Sequence, residues 1–256
     1  MDRFEEALTD RGWAMLPSAV PEALVHRLRG ELDRVCAEQR VIQVRNGVDA
    51  GADGTAHHLP CAGAVFLELL EHFVTLAPFD RYFEGPYILN TYGGVLNLPN
   101  GGSYVGRVHR DQRTYSGGVR LMAQALVMLD AFTEHNGATY LLTGSHRLGD
   151  KPSDDRFFRE ADRATGPAGS IVLFDSNLWH AAGVNRSEAP RRALTLAVTR
   201  PFIKQQLDYP RALGYERAES LSPALRQLLG YNARVPVTLD EWYQPLERRL
   251  YQRDQG

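Results

Sequence analysis

Tyr87-Ile88-Leu89-Asn90-Thr91-Tyr92, closed by Gly93-Gly94, and Val95-Leu96-Asn97-Leu98, closed by Pro99-Asn100-Gly101-Gly102, form the stretch on which the fold turns. Short runs rich in β-branched and aromatic residues, each ended by turn-forming residues, are the pattern of a sandwich or barrel. The pattern continues at Val119 to Leu129, Ala138 to Leu142, Ser170 to Phe174 and Ala193 to Val198. Strands do not alternate with helices here, which disfavours a parallel doubly wound sheet. The expected core is an antiparallel double-stranded β-helix over about residues 86–205. That is a cupin-like jelly roll, mainly β, with helices flanking it.

Outward from this core the period changes. Residues 3–40 read as helical, with Phe4 and Leu8 on one face, a break at Gly12, and Trp13-Ala14-Met15-Leu16 as a short strand before Pro17. Leu24, Leu28, Leu32 and Val35 recur at helical spacing, with Pro21 near the first turn. Residues 41–60 give turn signals at Asn46-Gly47, Gly51 and Asp53-Gly54 without a period, and read as a mobile loop able to cover a site. Val65, Phe66, Leu69, Leu70 and Phe73 mark one more covering helix. The chain is expected to form a single domain over 1–256. It would have a helical N-terminal part at 1–85 and a C-terminal covering segment at 206–256, where Arg248 to Tyr251 offer a possible homo-oligomer contact.

Composition limits the function. With 256 residues, 43% hydrophobic and 23% charged, the chain can bury one substantial core. A net charge of -2 with no basic lobe argues against nucleic acid and anionic membrane as partners. No apolar run approaches the ~20 residues that span a bilayer, and Met1-Asp2-Arg3-Phe4-Glu5-Glu6 lacks a signal peptide's apolar centre. A soluble, cytoplasmic protein is expected. Cys36 and Cys61 alone support neither a disulfide framework nor a Cys-x-x-Cys zinc site.

The chemistry-bearing residues lie on the strands. In His109-Arg110-Asp111 the outer two side chains fall on one face of an extended segment, within reach of one ion. From Ala168 to His180 an apolar strand leads through a polar turn to a histidine, delivering that imidazole at a barrel rim. Two histidines and a carboxylate are the minimum set for a mononuclear metal that keeps open positions. Arg191 opens the next strand. A guanidinium facing into a barrel needs an anion, most naturally a carboxylate bound bidentately, whereas Arg192 suits a water-facing position. His57 and His58 are neighbours that point apart, and His146 reads as a structural residue in a turn. His26, His72 and His135 read as surface or turn residues. Tyr92, Tyr104 and Trp179 either line a pocket or pack in the core.

These residues resemble the phytanoyl-CoA dioxygenase family of non-haem iron, 2-oxoglutarate-dependent oxygenases. The resemblance runs through nearly the whole chain. It covers the opening from Phe4 to Leu16, the His109-x-Asp111 pair, the strand and following Asn-Gly between Leu121 and Gly137, and Gly144-Ser145-His146. It continues in His180 and Arg191 with Gly183 and Asn185 between them, and in the tail from Leu221 to Tyr231. The resemblance implies Fe(II) held by His109, Asp111 and His180. It also implies 2-oxoglutarate anchored at its distal carboxylate by Arg191, with Asn97 and Gln124 as further cosubstrate contacts, and O2 as oxidant. The implied reaction hydroxylates an unactivated C–H bond of a small organic metabolite, releasing succinate and CO2. Asp111 fills the position that related halogenases leave open for chloride, so hydroxylation is favoured over chlorination, with desaturation or cyclisation left open. Thr143 and Arg110 depart from the family, which commonly has Pro and Gln there. A zinc hydrolase or cupin-like isomerase would use the same three residues but not Arg191, and a metal-free binding module would use none.

Overall fold

The stretch from Tyr87 to Leu98 does not turn at its two glycines. The computed structural model describes residues 2–48, 50–100 and 104–251. In order, α1 (Asp2–Asp10), β1 (Trp13–Leu16), α2 (Glu22–Arg45), β2 (Thr55–His57), α3 (Ala64–Leu76) and α4 (Asp80–Phe83) precede one continuous strand, β3 (Ile88–Asn97). Its glycines serve close approach. A Cβ on Gly94 would run into the Leu32 side chain of α2, and one on Gly93 would lie 3.1 Å from the Ala56 carbonyl. The turn expected at Gly101-Gly102 and the side chains of Phe4 and Tyr104 lie outside the described residues.

The rest of the chain supplies β4 (Met122–Met128), β5 (Thr139–Leu141), α5 (Asp154–Glu160), β6 (Asp162–Ala164), β7 (Ile171–Asp175), β8 (His180–Ala181) and β9 (Arg191–Thr199), then α6 (Tyr209–Leu213), α7 (Pro223–Leu228) and α8 (Leu239–Trp242). A six-stranded sheet runs β1-β7-β4-β9-β3-β2, and a three-stranded sheet runs β6-β5-β8. All the named pairings are antiparallel. This is the expected jelly roll.

Alternation along the strands sorts side chains between two cores. Ala123, Ala125 and Val127 of β4, with Leu194, Leu196 and Val198 of β9, face outward onto Leu24, Leu28 and Leu32 of α2 and Phe66, Leu69, Leu70 and Phe73 of α3. Burying each of these larger side chains is worth about 1.5–3 kcal/mol. Leu126 and Met128, with Ala193, face inward onto Trp13, Phe132, Leu141, Val172 and Phe174. The inner layer, between the two sheets, is where the site lies.

Two sequence expectations change here. α2 continues to Arg45, and β2 pairs with β3 in the segment read as a loop. Gln39 holds β2 in place by accepting from His57 N–H at 2.7 Å and donating to the His57 carbonyl at 2.8 Å. The periodicity was obscured because Val41, Ile42 and Val44 at the end of α2 are exposed. At the C-terminus, Leu225, Leu228 and Leu229 pack into the outer core. Among the described residues, no helix is long and apolar enough to cross a membrane.

Candidate active site

The His-x-Asp segment and the start of β8 lie side by side. His109 N–H donates to the His180 carbonyl at 3.0 Å and His180 N–H to the His109 carbonyl at 2.8 Å, which brings the imidazole centroids to 4.2 Å. Asp111 completes the group, with its carboxylate 3.7 Å from His109 Nε2 and 3.5 Å from His180 Nε2. Among the described residues these three are the one cluster of potential ligands close enough to share an ion.

Neighbouring backbone fixes how the rings present themselves. Arg107 O accepts from His109 Nδ1 at 2.7 Å and Leu178 O accepts from His180 Nδ1 at 3.0 Å. A carbonyl only accepts, so each Nδ1 carries the proton and each Nε2 offers its lone pair towards Asp111. Burial pushes the His180 pKa down, opposed by Asp111, which keeps the ring neutral for ligation. Arg110 turns to the other side of the extended segment. Its guanidinium lies 5.1 Å from the Trp179 ring and 5.3 Å from Tyr115, and it donates to Gly149 O at 3.0 Å. One cation thus braces both segments that carry the histidines.

Arg191 opens β9 and, like Ala193 two residues on, faces the barrel interior. It is 3% exposed, and its Nε and Nη1 have no hydrogen-bond partner. The Phe132 ring lies 3.8 Å from the guanidinium carbon, covering one face and leaving the nitrogen edge free. Burial pushes the Arg191 pKa down to about 9, partly offset by Asp130. A buried cation with an unused edge is costly unless an anion joins it. It therefore fits a carboxylate, and two imidazoles with one carboxylate fit iron with open positions.

Arg192 differs from its sequence reading. β9 is internal to the sheet, and Arg192 faces outward onto α2 rather than into water. It binds Asp33 through two hydrogen bonds of 2.8 Å, and Asp130 accepts from its backbone N–H at 2.7 Å.

The weaker candidates are placed as follows. Asn97 is the register partner of Arg191, but its Nδ2 donates to Gly183 O at 3.0 Å and its carbonyl accepts from Asn185 Nδ2 at 2.7 Å. Gln124 is buried on β4 between Phe174 and Ala197, on the inward face with Leu126 and Met128. His146 is apart from the cluster, with its Nε2 3.1 Å from Thr9 O, and His58 contacts the Tyr209 hydroxyl. Tyr92 packs wholly in the outer core, and Trp179 is buried beside Leu142 and Phe157. Thr143 links two elements by accepting from Trp13 Nε1 at 2.7 Å and donating to Asp162. Phe132 and Asp130, which back Arg191, carry no spacing signal in the sequence, since they follow β4 in irregular chain.

A jelly roll with this site belongs to an enzyme of the iron- and 2-oxoglutarate-dependent dioxygenase class. Residues 8–193 match the phytanoyl-CoA dioxygenase (PhyH) family, and the chain belongs to that family. An uncharacterised protein of Mycobacterium tuberculosis is 33% identical over 265 residues, covering 100% of this chain and 96% of its own. An iron/alpha-ketoglutarate-dependent dioxygenase of Aspergillus calidoustus is 27% identical, covering 93% and 83%. Among solved structures, the epimerase SnoN in complex with Fe3+, alpha-ketoglutarate and nogalamycin RO aligns with a TM-score of 0.60 at 16% identity, covering 77% of this chain and 82% of that one.

Proposed function

We propose that this dioxygenase hydroxylates an unactivated C–H bond of a small organic metabolite, with His109, Asp111 and His180 as the iron ligands and Arg191 as the anchor for 2-oxoglutarate. The observation that carries the reading is the pairing of a three-ligand cluster with a buried guanidinium whose edge is unused. Iron with 2-oxoglutarate supplies the oxidising chemistry. One atom of O2 enters the substrate C–H bond as hydroxyl, and the other enters succinate as 2-oxoglutarate loses CO2.

The chain's own residues bind, orient and exclude water. The paired backbone hydrogen bonds between His109 and His180 hold the two imidazoles in one frame, and the carbonyls of Arg107 and Leu178 keep both rings in the Nε2-ligating tautomer. Phe132 desolvates Arg191, which strengthens its hold on a carboxylate. Asn97 helps fix the end of β3 beside that anchor, and Gln124 faces the interior as a further contact for the cosubstrate. A second reading, a different oxidative outcome such as desaturation or cyclisation, draws on the epimerase among the structural neighbours. A soluble small-molecule enzyme in the cytoplasm, built as one domain, accords with this reading.

The test is anaerobic loading with Fe(II) and 2-oxoglutarate, admission of O2 with a substrate panel, and measurement of succinate and of a one-oxygen mass gain. Succinate above that of an Asp111→Ala control, matched by the mass gain, is expected. No succinate above the control across the panel would overturn the reading.

A further inference from the structure

The barrel interior has two ends of opposite character. Arg191 opens β9 at one end, while the ligand cluster sits towards the other, where β9 finishes at Thr199 and pairs with Met122 at the start of β4. Among the described residues, five buried side-chain oxygens lack a hydrogen-bond partner: Tyr92 Oη, Gln112 Oε1, Ser176 Oγ, Asn177 Oδ1 and Thr199 Oγ1. The last four belong to residues whose backbones meet next to the ligand segment. Gln112 follows Asp111 and its N–H donates to Ser176 O at 3.0 Å, while Ser176 N–H donates to Met122 O at 3.3 Å, beside Thr199.

The two amides are held with their oxygens free to accept. Gln112 Nε2 donates to Thr114 O at 2.8 Å. Asn177 Nδ2 donates to Ser116 Oγ at 3.2 Å, and that hydroxyl donates onward to Val119 O at 2.8 Å. Gln112 Oε1 and Asn177 Oδ1 can only accept, and the Ser176 and Thr199 hydroxyls can accept as well as donate; left unpaired they cost stability, and beside a reaction centre the partner that satisfies all four is a donor. Arg191 at the far end calls for an anion, so the two ends select opposite partners.

We propose that the substrate presents N–H or O–H donors, as a primary ammonium or a group of hydroxyls, to Gln112, Ser176, Asn177 and Thr199, next to the carbon that is oxidised. An unfunctionalised acyl chain would leave these oxygens unpaired, and a carboxylate or phosphate, to which only the two hydroxyls could donate, would oppose the amide oxygens of Gln112 and Asn177. The proposal rests on the dioxygenase reading above.

The experiment is calorimetric titration under nitrogen of the Fe(II)-loaded full chain with 2-oxoglutarate present. The probes are four rings of one size: cyclohexylammonium, cyclohexane-1,2-diol, cyclohexanecarboxylate and methylcyclohexane. The ammonium or the diol should bind about tenfold or more tighter than the carboxylate and the methyl compound. Thr199→Val, which removes the oxygen at nearly constant volume, should erase most of that margin, and Thr199→Ser should keep it. Asn177→Asp should favour the ammonium over the diol if the donor is cationic and leave them level if it is hydroxylic. Equal binding of all four, tighter binding of the carboxylate, or an unchanged margin in Thr199→Val and Asn177→Leu would overturn the proposal. Binding of 2-oxoglutarate is measured in the same cell before the probes are added, so its failure marks the dioxygenase reading as wrong independently of the probe ranking.

Discussion

His109 and His180 exchange backbone hydrogen bonds of 3.0 and 2.8 Å, so two segments far apart in sequence meet as a single antiparallel bridge at the metal cluster. A metal bound there ties both segments to the folded state only. Saturating Mn(II) or Ni(II), at about a hundredfold excess over Kd, should stabilise the fold by ~2.7 kcal/mol and raise Tm by about 5–10 °C. Thermal scans of the wild type and Asp111→Ala check this, and a variant that keeps the full shift would place the metal elsewhere.

Replacing Arg191 with methionine should make the chain more stable in the absence of 2-oxoglutarate while removing its response to it. The guanidinium is buried with Nε and Nη1 unpaired, and relieving such burial is worth about 1–3 kcal/mol. Denaturant melts with and without 2-oxoglutarate separate the two effects. A residue kept for packing alone would lose stability and leave the ligand response intact.

Arg192 should behave in the opposite way. Its paired hydrogen bonds to Asp33 fasten β9 to α2, and Asp33 is partly exposed. Asp33→Ala should therefore cost about 1–2 kcal/mol with little change in 2-oxoglutarate affinity. A double-mutant cycle with Arg192→Ala should show that the two costs are shared rather than additive. A large loss of 2-oxoglutarate binding in Arg192→Ala would mean the inward and outward faces of β9 are exchanged.

Gly94→Val should cost about 1–3 kcal/mol, because a side chain there collides with Leu32. Combining it with Leu32→Val should recover part of the loss in denaturant melts. Equal costs in both backgrounds would show that the collision is relieved elsewhere.

The sequence was readable where a periodic pattern met a chemical requirement. Leu24, Leu28, Leu32 and Val35 marked α2, and the inward and outward alternation of Arg191 and Arg192 was implicit in the strand around them. His109, Asp111 and His180 stood out as a set through the order and spacing of the motifs that resemble the phytanoyl-CoA dioxygenase family. The glycines of β3 were misread because the same residue serves a turn and a close approach, and nothing local separates the two uses. β6 and β8, three and two residues long, are too short to show a period. Phe132, Asp130 and the brace made by Arg110 depend on long-range contacts that no window of sequence contains.

The most direct test of the account is anaerobic titration of the Fe(II)-loaded protein with 2-oxoglutarate and with 2-oxobutyrate, which keeps the 2-oxo acid group but lacks the distal carboxylate. A buried, charge-assisted contact at Arg191 predicts that the wild type prefers 2-oxoglutarate by about 100-fold, or ~3 kcal/mol, and that Arg191→Met binds both alike. Equal affinities in the wild type, or a preference that survives in Arg191→Met, would contradict it.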